Sequence, residues 1–260
     1  MCGRFVLSVT YQQLAEQFSF RQAQAERSGD LQLSPAWNIA PSTRICAITA
    51  DQADDRHLVR MKWGLIPSWA KDAHASTGSA RAVISGLSNA RGETVAEKPS
   101  FRSAFKQRRC IIPASGFYEW QTVQGVKQPW YVSLKSGETM AFAGLWETWH
   151  ARYASKHISE PPLDTATPTR DERDQDEVIV SCCIITTAAN ALMETIHDRM
   201  PAILDREQWA TWLSPQVHEA DKLLPLIRPH DPQSMQAWPV TREVNRVGLR
   251  DDAGLAERVG

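Results

Sequence analysis

The run from Arg109 to Trp120, Arg-Cys-Ile-Ile-Pro-Ala-Ser-Gly-Phe-Tyr-Glu-Trp, carries Ile and aromatic residues in the pattern of a pleated strand. Working outward, Val59–Ile66, Trp130–Leu134, Met140–Trp146 and Val178–Thr187 repeat its apolar or alternating character. The polar, Gly-containing stretch Thr122–Gln128 separates two of these runs and reads as a hairpin connection. An early helix is predicted at Tyr11–Phe18, where Thr10 can cap the exposed amides. Later helices are predicted at Ala191–Ile196, Arg206–Leu213 and Glu219–Ile227, with Trp209 and Trp212 three apart on a core-facing side. No repeat or linker divides the chain. The expected fold is α+β: a single domain over residues 1–260, with a mainly antiparallel, barrel-like β core and peripheral helices. Two stretches, 72–87 and 155–177, are polar or charged with few large apolar side chains and are expected to be mobile inserted loops.

The 260 residues carry 29 Lys and Arg against 30 Asp and Glu, with 42% hydrophobic residues. Near-zero net charge excludes a protein that coats nucleic acid or membranes through bulk positive charge. A mean hydropathy of −0.38 and no apolar run near the ~20 residues of a membrane span argue against an integral membrane protein. No signal-peptide blocks open the chain, so a cytosolic location is expected. The five cysteines lack CxxC spacing, which points to neither a disulfide scaffold nor a zinc ribbon. The neutral total hides a split. Residues 1–130 hold 16 basic and 10 acidic residues, a net +6, and the remainder nets −7. Lys98, Arg102, Lys106, Arg108 and Arg109 fall in a stretch without an acid before Tyr118, either a solvated face or a local phosphate-binding surface.

The second residue carries unusual chemistry. Once Met1 is removed, Cys2 becomes a 1,2-aminothiol whose amine (pKa about 7.7–8.0) and thiol (about 8.5) both have a reactive fraction near neutrality. Such an amine adds to aldehydes, and the neighbouring thiol can close a thiazolidine ring. An incidental cysteine is the alternative reading of that residue alone. Glu119 lies beside Phe117 in a strand. Loss of hydration there would raise its pKa and suit it to proton transfer, whereas an edge position would leave it in solvent. His197 stands beside Asp198 and Arg199, ahead of Pro201. Trp63 and Trp69 flank a Pro-containing turn, and Trp69, followed by polar residues, is the better candidate for an exposed aromatic that stacks on unpaired bases. Searches for GxSxG, HExxH, P-loop and GxGxxG patterns find none, so neither a metal nor a nucleotide cofactor has sequence support.

Six motifs occur together: Met-Cys-Gly-Arg-Phe at residues 1–5, Asn38-Ile39-Ala40-Pro41, Trp63 to Trp69, Asn89-Ala90-Arg91, Gly116 to Trp120, and Ile196 to Pro201. In this order they resemble the SOS response-associated peptidase (SRAP) family, also called abasic-site processing proteins, from Met1 to about Val240. The resemblance implies an enzyme that binds single-stranded DNA in a basic groove and cross-links to abasic sites, with no cofactor. It implies Cys2 as nucleophile, Asn89 beside the abasic sugar, Glu119 in ring opening and proton transfer, and His197 in Schiff-base chemistry and reversal. It implies DNA contacts from Arg4, Asn38, Trp69, Arg91 and Arg199. Self-removal of Met1 and a minor lyase activity belong to the same expectation, as does a monomer, because nothing suggests a coiled coil or obligate dimer. Two other classes stay open at this point: a cysteine peptidase using Cys2 and His197, and a non-catalytic single-strand binder.

Overall fold

The computed structural model describes residues 2–20, 33–70, 87–150 and 178–259. The expected loop at 155–177, and that at 72–87 apart from Leu87, lie outside the described residues.

Twelve strands are described: β1 Arg4–Leu7, β2 Ala36–Ile39, β3 Arg44–Ala50, β4 Arg56–Trp63, β5 Asn89–Arg91, β6 Arg109–Ala114, β7 Gly116–Val123, β8 Val126–Leu134, β9 Met140–His150, β10 Val178–Ala188, β11 Arg199–Pro201 and β12 Met235–Pro239. Strands β10, β4, β3, β6 and β9 pair in sequence and β9 returns to β10, which closes a five-stranded barrel. All of those pairings are antiparallel except β10 with β4. The short β5 and β11 pair with the C-terminal half of β10. A second sheet runs in the order β12, β8, β7, β1, β2. The mainly antiparallel, barrel-containing α+β domain expected from the strand pattern is therefore the observed architecture.

The run Arg109–Trp120 forms two strands rather than one. Ser115 breaks it, with β6 in the barrel and β7 in the second sheet. That break couples the two halves, because the Ser115 N–H donates to the Val6 carbonyl at 2.7 Å. Period-two alternation then sorts the second sheet into two faces. Phe5 and Phe117 face the barrel, where Phe5 meets Trp63 edge-on at 5.2 Å and Phe117 meets Phe142 at 5.9 Å. Val6, Tyr118 and Tyr131 face away and pack with Val240, Val244 and Ala256. The outer face is therefore covered by the C-terminal segment: Val240 follows β12, and the turns at Arg242–Asn245 and Ala253–Ala256 carry Val244 and Ala256.

The helices are short. α1 (Tyr11–Phe18) forms as expected, with Thr10 Oγ1 accepting from the Gln13 N–H and the Gln13 side chain accepting from the Thr10 N–H. α2 spans Arg102–Gln107, α3 Trp209–Leu213 and α4 Ala220–Leu223. Three predicted helices shrink. Ala191–Ile196 is a 3-10 turn at Met193–Thr195, Arg206–Gln208 is 3-10 before α3, and Pro225 turns the chain into 3-10 geometry after α4. Trp209 and Trp212 are buried, as their spacing suggested.

Candidate active site

Arg109 shows how little of the basic run is available to a ligand. It is buried, and its guanidinium donates to the carbonyls of Phe105, Lys106, Trp212, Ser214 and Val217 at 2.5–2.8 Å. Arg108 pairs with the buried Glu147 at 2.8 Å. Only Lys98, Arg102 and Lys106 of that run are exposed. The reading of all five as one surface fails because β6 is buried along its whole length, and Arg109 at its start staples α2 and the end of α3.

Cys2, Asn89, Glu119 and His197, from four of the six motifs, come together elsewhere, at one end of the second sheet. Antiparallel register sets Arg4 opposite Tyr118 and Phe5 opposite Phe117. Strand β1 begins at Arg4, so β7 beyond Tyr118 has no strand partner on that side among the described residues, and continuing the register brings Gly3 and Cys2 beside Glu119 and Trp120. Cys2 is fully buried there, and Asn89 Nδ2 donates to its carbonyl at 2.9 Å. Asn89 Oδ1 is buried without a hydrogen-bond partner among the described residues, an acceptor next to the cysteine. Burial pushes the Cys2 thiol well above its ordinary range, and the neighbouring Glu119 charge adds to that.

Glu119 sits on the barrel-facing side of β7 and is 2% exposed, so it is not an edge carboxylate in solvent. Burial raises its pKa against the pull of nearby positive charge, His197 included. Glu119 and His197 line one cavity of about 430 Å³, together with Trp120, Thr122, Lys127 and Asn245. His197 Nδ1 accepts from the Arg199 N–H at 3.0 Å and lies 2.8 Å from Asp198 Oδ1. These contacts ask for opposite protonation states. The Arg199 N–H needs Nδ1 as an acceptor, whereas the Asp198 carboxylate needs it as a donor, and the Asp198 side chain is 85% exposed.

The expected DNA-contacting residues separate into two groups. In β5, Asn89 and Arg91 share a face while Ala90 packs into the core, and Arg91 is exposed. Trp69 is 64% exposed, on a segment whose neighbours are pinned: the Gly64 N–H donates to the Cys182 carbonyl, the Ile66 N–H to Ser181 Oγ, and Trp149 Nε1 to the Ala70 carbonyl. Trp63, its partner across the turn, is fully buried. Arg199 is engaged with Glu93 by two parallel bonds of 2.5 and 2.9 Å, and Nη2 also donates to the Thr186 carbonyl. Arg4 and Asn38 pair with each other. Arg4 Nη1 donates to Asn38 Oδ1 and to the Val244 carbonyl, each at 2.7 Å, and Asn38 is buried. That clamp ties the C-terminal turn to the sheet, where Asn245 Oδ1 accepts from Trp120 Nε1 at 2.7 Å.

Lys127, Asn245 and Glu93 were not singled out in the sequence. Lys127 had a partial signal, since a hairpin at Thr122–Gln128 sets it across from Thr122, but the hairpin alone does not bring it to the cavity that Glu119 lines. Asn245 had none, because its partner lies far away in the chain.

Among the described residues, no group of three or more His, Cys, Asp or Glu side chains is placed to hold a metal ion, and no helix is long and apolar enough to cross a membrane. The family model described as SOS response associated peptidase (SRAP) matches residues 1–247. A relative called abasic site processing protein YoqW, from Bacillus subtilis (strain 168), is 39% identical over 94% of this chain and 94% of its own. Abasic site processing protein HMCES of Xenopus tropicalis is 28% identical, covering 94% of this chain and 75% of its own. A crystal structure of a protein from Bacteroides thetaiotaomicron superposes with a TM-score of 0.79 at 25% identity, over 99% of this chain and 100% of the other.

Proposed function

The chain belongs to the SOS response associated peptidase family, and from that premise we propose that it processes abasic sites in single-stranded DNA by forming a covalent link through Cys2. The observation that carries this reading is the placement of Cys2: the amino end of the chain lies against Asn89 and beside a cavity lined by Glu119 and His197. Relatives called abasic site processing proteins support it.

An abasic deoxyribose is a masked aldehyde. Glu119, whose pKa burial raises, donates to the ring oxygen and opens the sugar. The Cys2 amine, exposed when Met1 is removed, adds to C1′. Water leaves with the former aldehyde oxygen, and an iminium remains. The Cys2 sulfur then bonds to that carbon and gives up its proton, which yields a neutral thiazolidine. A thiol held protonated by burial suits this order, since it resists other reactions until the iminium is adjacent. The orphan Oδ1 of Asn89 is an acceptor for a sugar hydroxyl or the attacking amine. His197, on the same cavity wall as Glu119, serves the proton steps of Schiff-base chemistry and reversal. If ring closure stalls, β-elimination from the Schiff base cuts the strand, a minor lyase activity. Self-removal of Met1 supplies the peptidase-type step. The exposed Arg91 and Trp69 hold the strand by phosphate contact and stacking, with Arg199 behind Arg91, and none of them reads sequence. The protein acts as a monomer in the cytosol.

The test is incubation with an abasic single-stranded oligonucleotide, followed by a denaturing gel and intact mass. The expected product is a stable adduct at the mass of protein without Met1 plus DNA less one water. A Cys2→Ala variant giving the same adduct at full yield would reject Cys2 as the linkage point. Turnover of added peptides with no adduct would favour a peptidase.

A further inference from the structure

The cavity beside Glu119 and His197 is larger than the reacting sugar requires. At about 430 Å³ it has room for roughly 14 water-sized shares, more than one five-carbon sugar fills. Its chemistry also changes from one end to the other. Glu119 and His197 lie at the inner end, toward the barrel. The rest of the wall, Trp120, Thr122, Lys127 and Asn245, comes from the outer lip of β7, the hairpin and the C-terminal turn.

That outer wall has the features of a nucleotide site. Lys127 is exposed and stands across from Thr122 in the β7–β8 register, so a cation and a hydroxyl face one opening. It is the one lysine or arginine among the described lining residues. Trp120 presents a half-buried indole, and the 2.7 Å bond from its Nε1 to Asn245 fixes the ring plane. Asn245 is in turn held through its neighbour Val244, whose carbonyl accepts from Arg4 and from Asn38. A fixed aromatic plane beside an ammonium group is the combination that holds a base and its phosphate.

We infer that Trp120, Lys127 and Asn245 form a subsite for the nucleotide next to the abasic sugar, with Lys127 on its phosphate and Trp120 against its base. This inference rests on the abasic-DNA reading above. Held there, the neighbouring nucleotide aligns the sugar with Glu119 before any bond forms, and a bulk cationic surface is not needed for that alignment.

The test uses reversible binding, so that it does not depend on the cross-link. The probe is a single-stranded oligonucleotide carrying a tetrahydrofuran abasic analogue, which has no aldehyde, placed internally or at either end. Binding is followed by fluorescence anisotropy across a salt series. Lys127→Ala is expected to weaken the internal probe about tenfold and to reduce the slope of log K against log salt by ~0.7, one phosphate on a single strand. Lys127→Arg is expected to restore both. The loss should vanish on whichever end-placed probe lacks the nucleotide the subsite holds. Equal affinity and slope for Lys127→Ala and the parent on the internal probe would overturn the inference, as would a loss that persists on both end-placed probes. A Lys127-dependent slope with no adduct on aldehyde DNA refutes the cross-linking reading and leaves the subsite standing. A parent that cross-links with no Lys127 dependence does the reverse.

Discussion

Gly116 is the position where one added methyl group should disturb both the fold and the site. A Cβ built there would lie 2.3 Å from the ring carbon Cζ and the hydroxyl of Tyr131. Ordinary contact between heavy atoms is about 3.5–4.0 Å, so something must move by more than 1 Å. Tyr131 cannot swing aside easily. Its ring packs against Tyr118 at 5.4 Å and Trp238 at 5.2 Å between centroids, and its hydroxyl donates to the Ser115 carbonyl at 3.3 Å. The strain should therefore pass into β7 itself. Overpacking of this kind costs about 1–3 kcal/mol, and at ~2–4 °C per kcal/mol the melting temperature of Gly116→Ala should fall by roughly 2–12 °C. Glu119 lies three residues further along the same strand, and a shift of ~1 Å at a catalytic group costs on the order of 100-fold in rate. Thermal melts and the rate of adduct formation measure the two effects. The double variant Gly116→Ala with Tyr131→Val tests the cause, since the alanine should cost at least about 1 kcal/mol less once the ring is gone. Parent-like melting and rate for Gly116→Ala, or strictly additive costs in the double variant, would refute the reasoning.

Three further outcomes are expected. Arg109→Met keeps most of the side-chain volume but strips five carbonyls of their donor, so urea unfolding should show a loss of about 3–5 kcal/mol; a loss below 1 kcal/mol would mean that water replaces the guanidinium at little cost. Burial raises the Glu119 pKa above its unfolded value of about 4.3, so the carboxyl supports folding below that pH and the support is lost as pH rises through the folded pKa. Glu119→Gln should accordingly melt higher than the parent at pH 8, match it near pH 4 and form adduct more slowly; the same melting difference at both pH values would contradict this. Trp69→Ala, at a 64% exposed position, should leave stability within about 0.5 kcal/mol and weaken single-strand binding by ~1–3 kcal/mol; a large stability loss would show the indole to be structural.

Much of the barrel was legible because its strands are long and apolar. The runs in β4, β6 to β10 carry their own period, and α1 carries its own cap. The short strands β1, β2, β5, β11 and β12 are too brief to show a pattern; β1, β5, β11 and β12 each pair with a longer neighbour, and β2 pairs with β1. The break at Ser115 was invisible for a related reason. Strand pattern reports that residues are pleated and half-buried but not which of two sheets they join.

The sequence by itself determined the inventory of the site: an aminothiol at Cys2, a carboxylate beside Phe117, a histidine beside an acid, and a family order that includes Asn89. A near-neutral total of −1, resolved into a +6 first half, also came from the chain alone. Only the tertiary structure decided which of those residues meet solvent, which meet one another and which are spent on the fold. Glu119 became a desolvated acid because β7 turns that residue toward the barrel. Arg109 became a staple, and Arg4 with Asn38 a clamp for the C-terminal turn. The wall that Lys127 and Asn245 add to the cavity arose the same way. The physical reason is that hydration and pairing depend on neighbours brought in from more than a hundred residues away, and those distances are set only when the barrel has closed and the second sheet has packed on it.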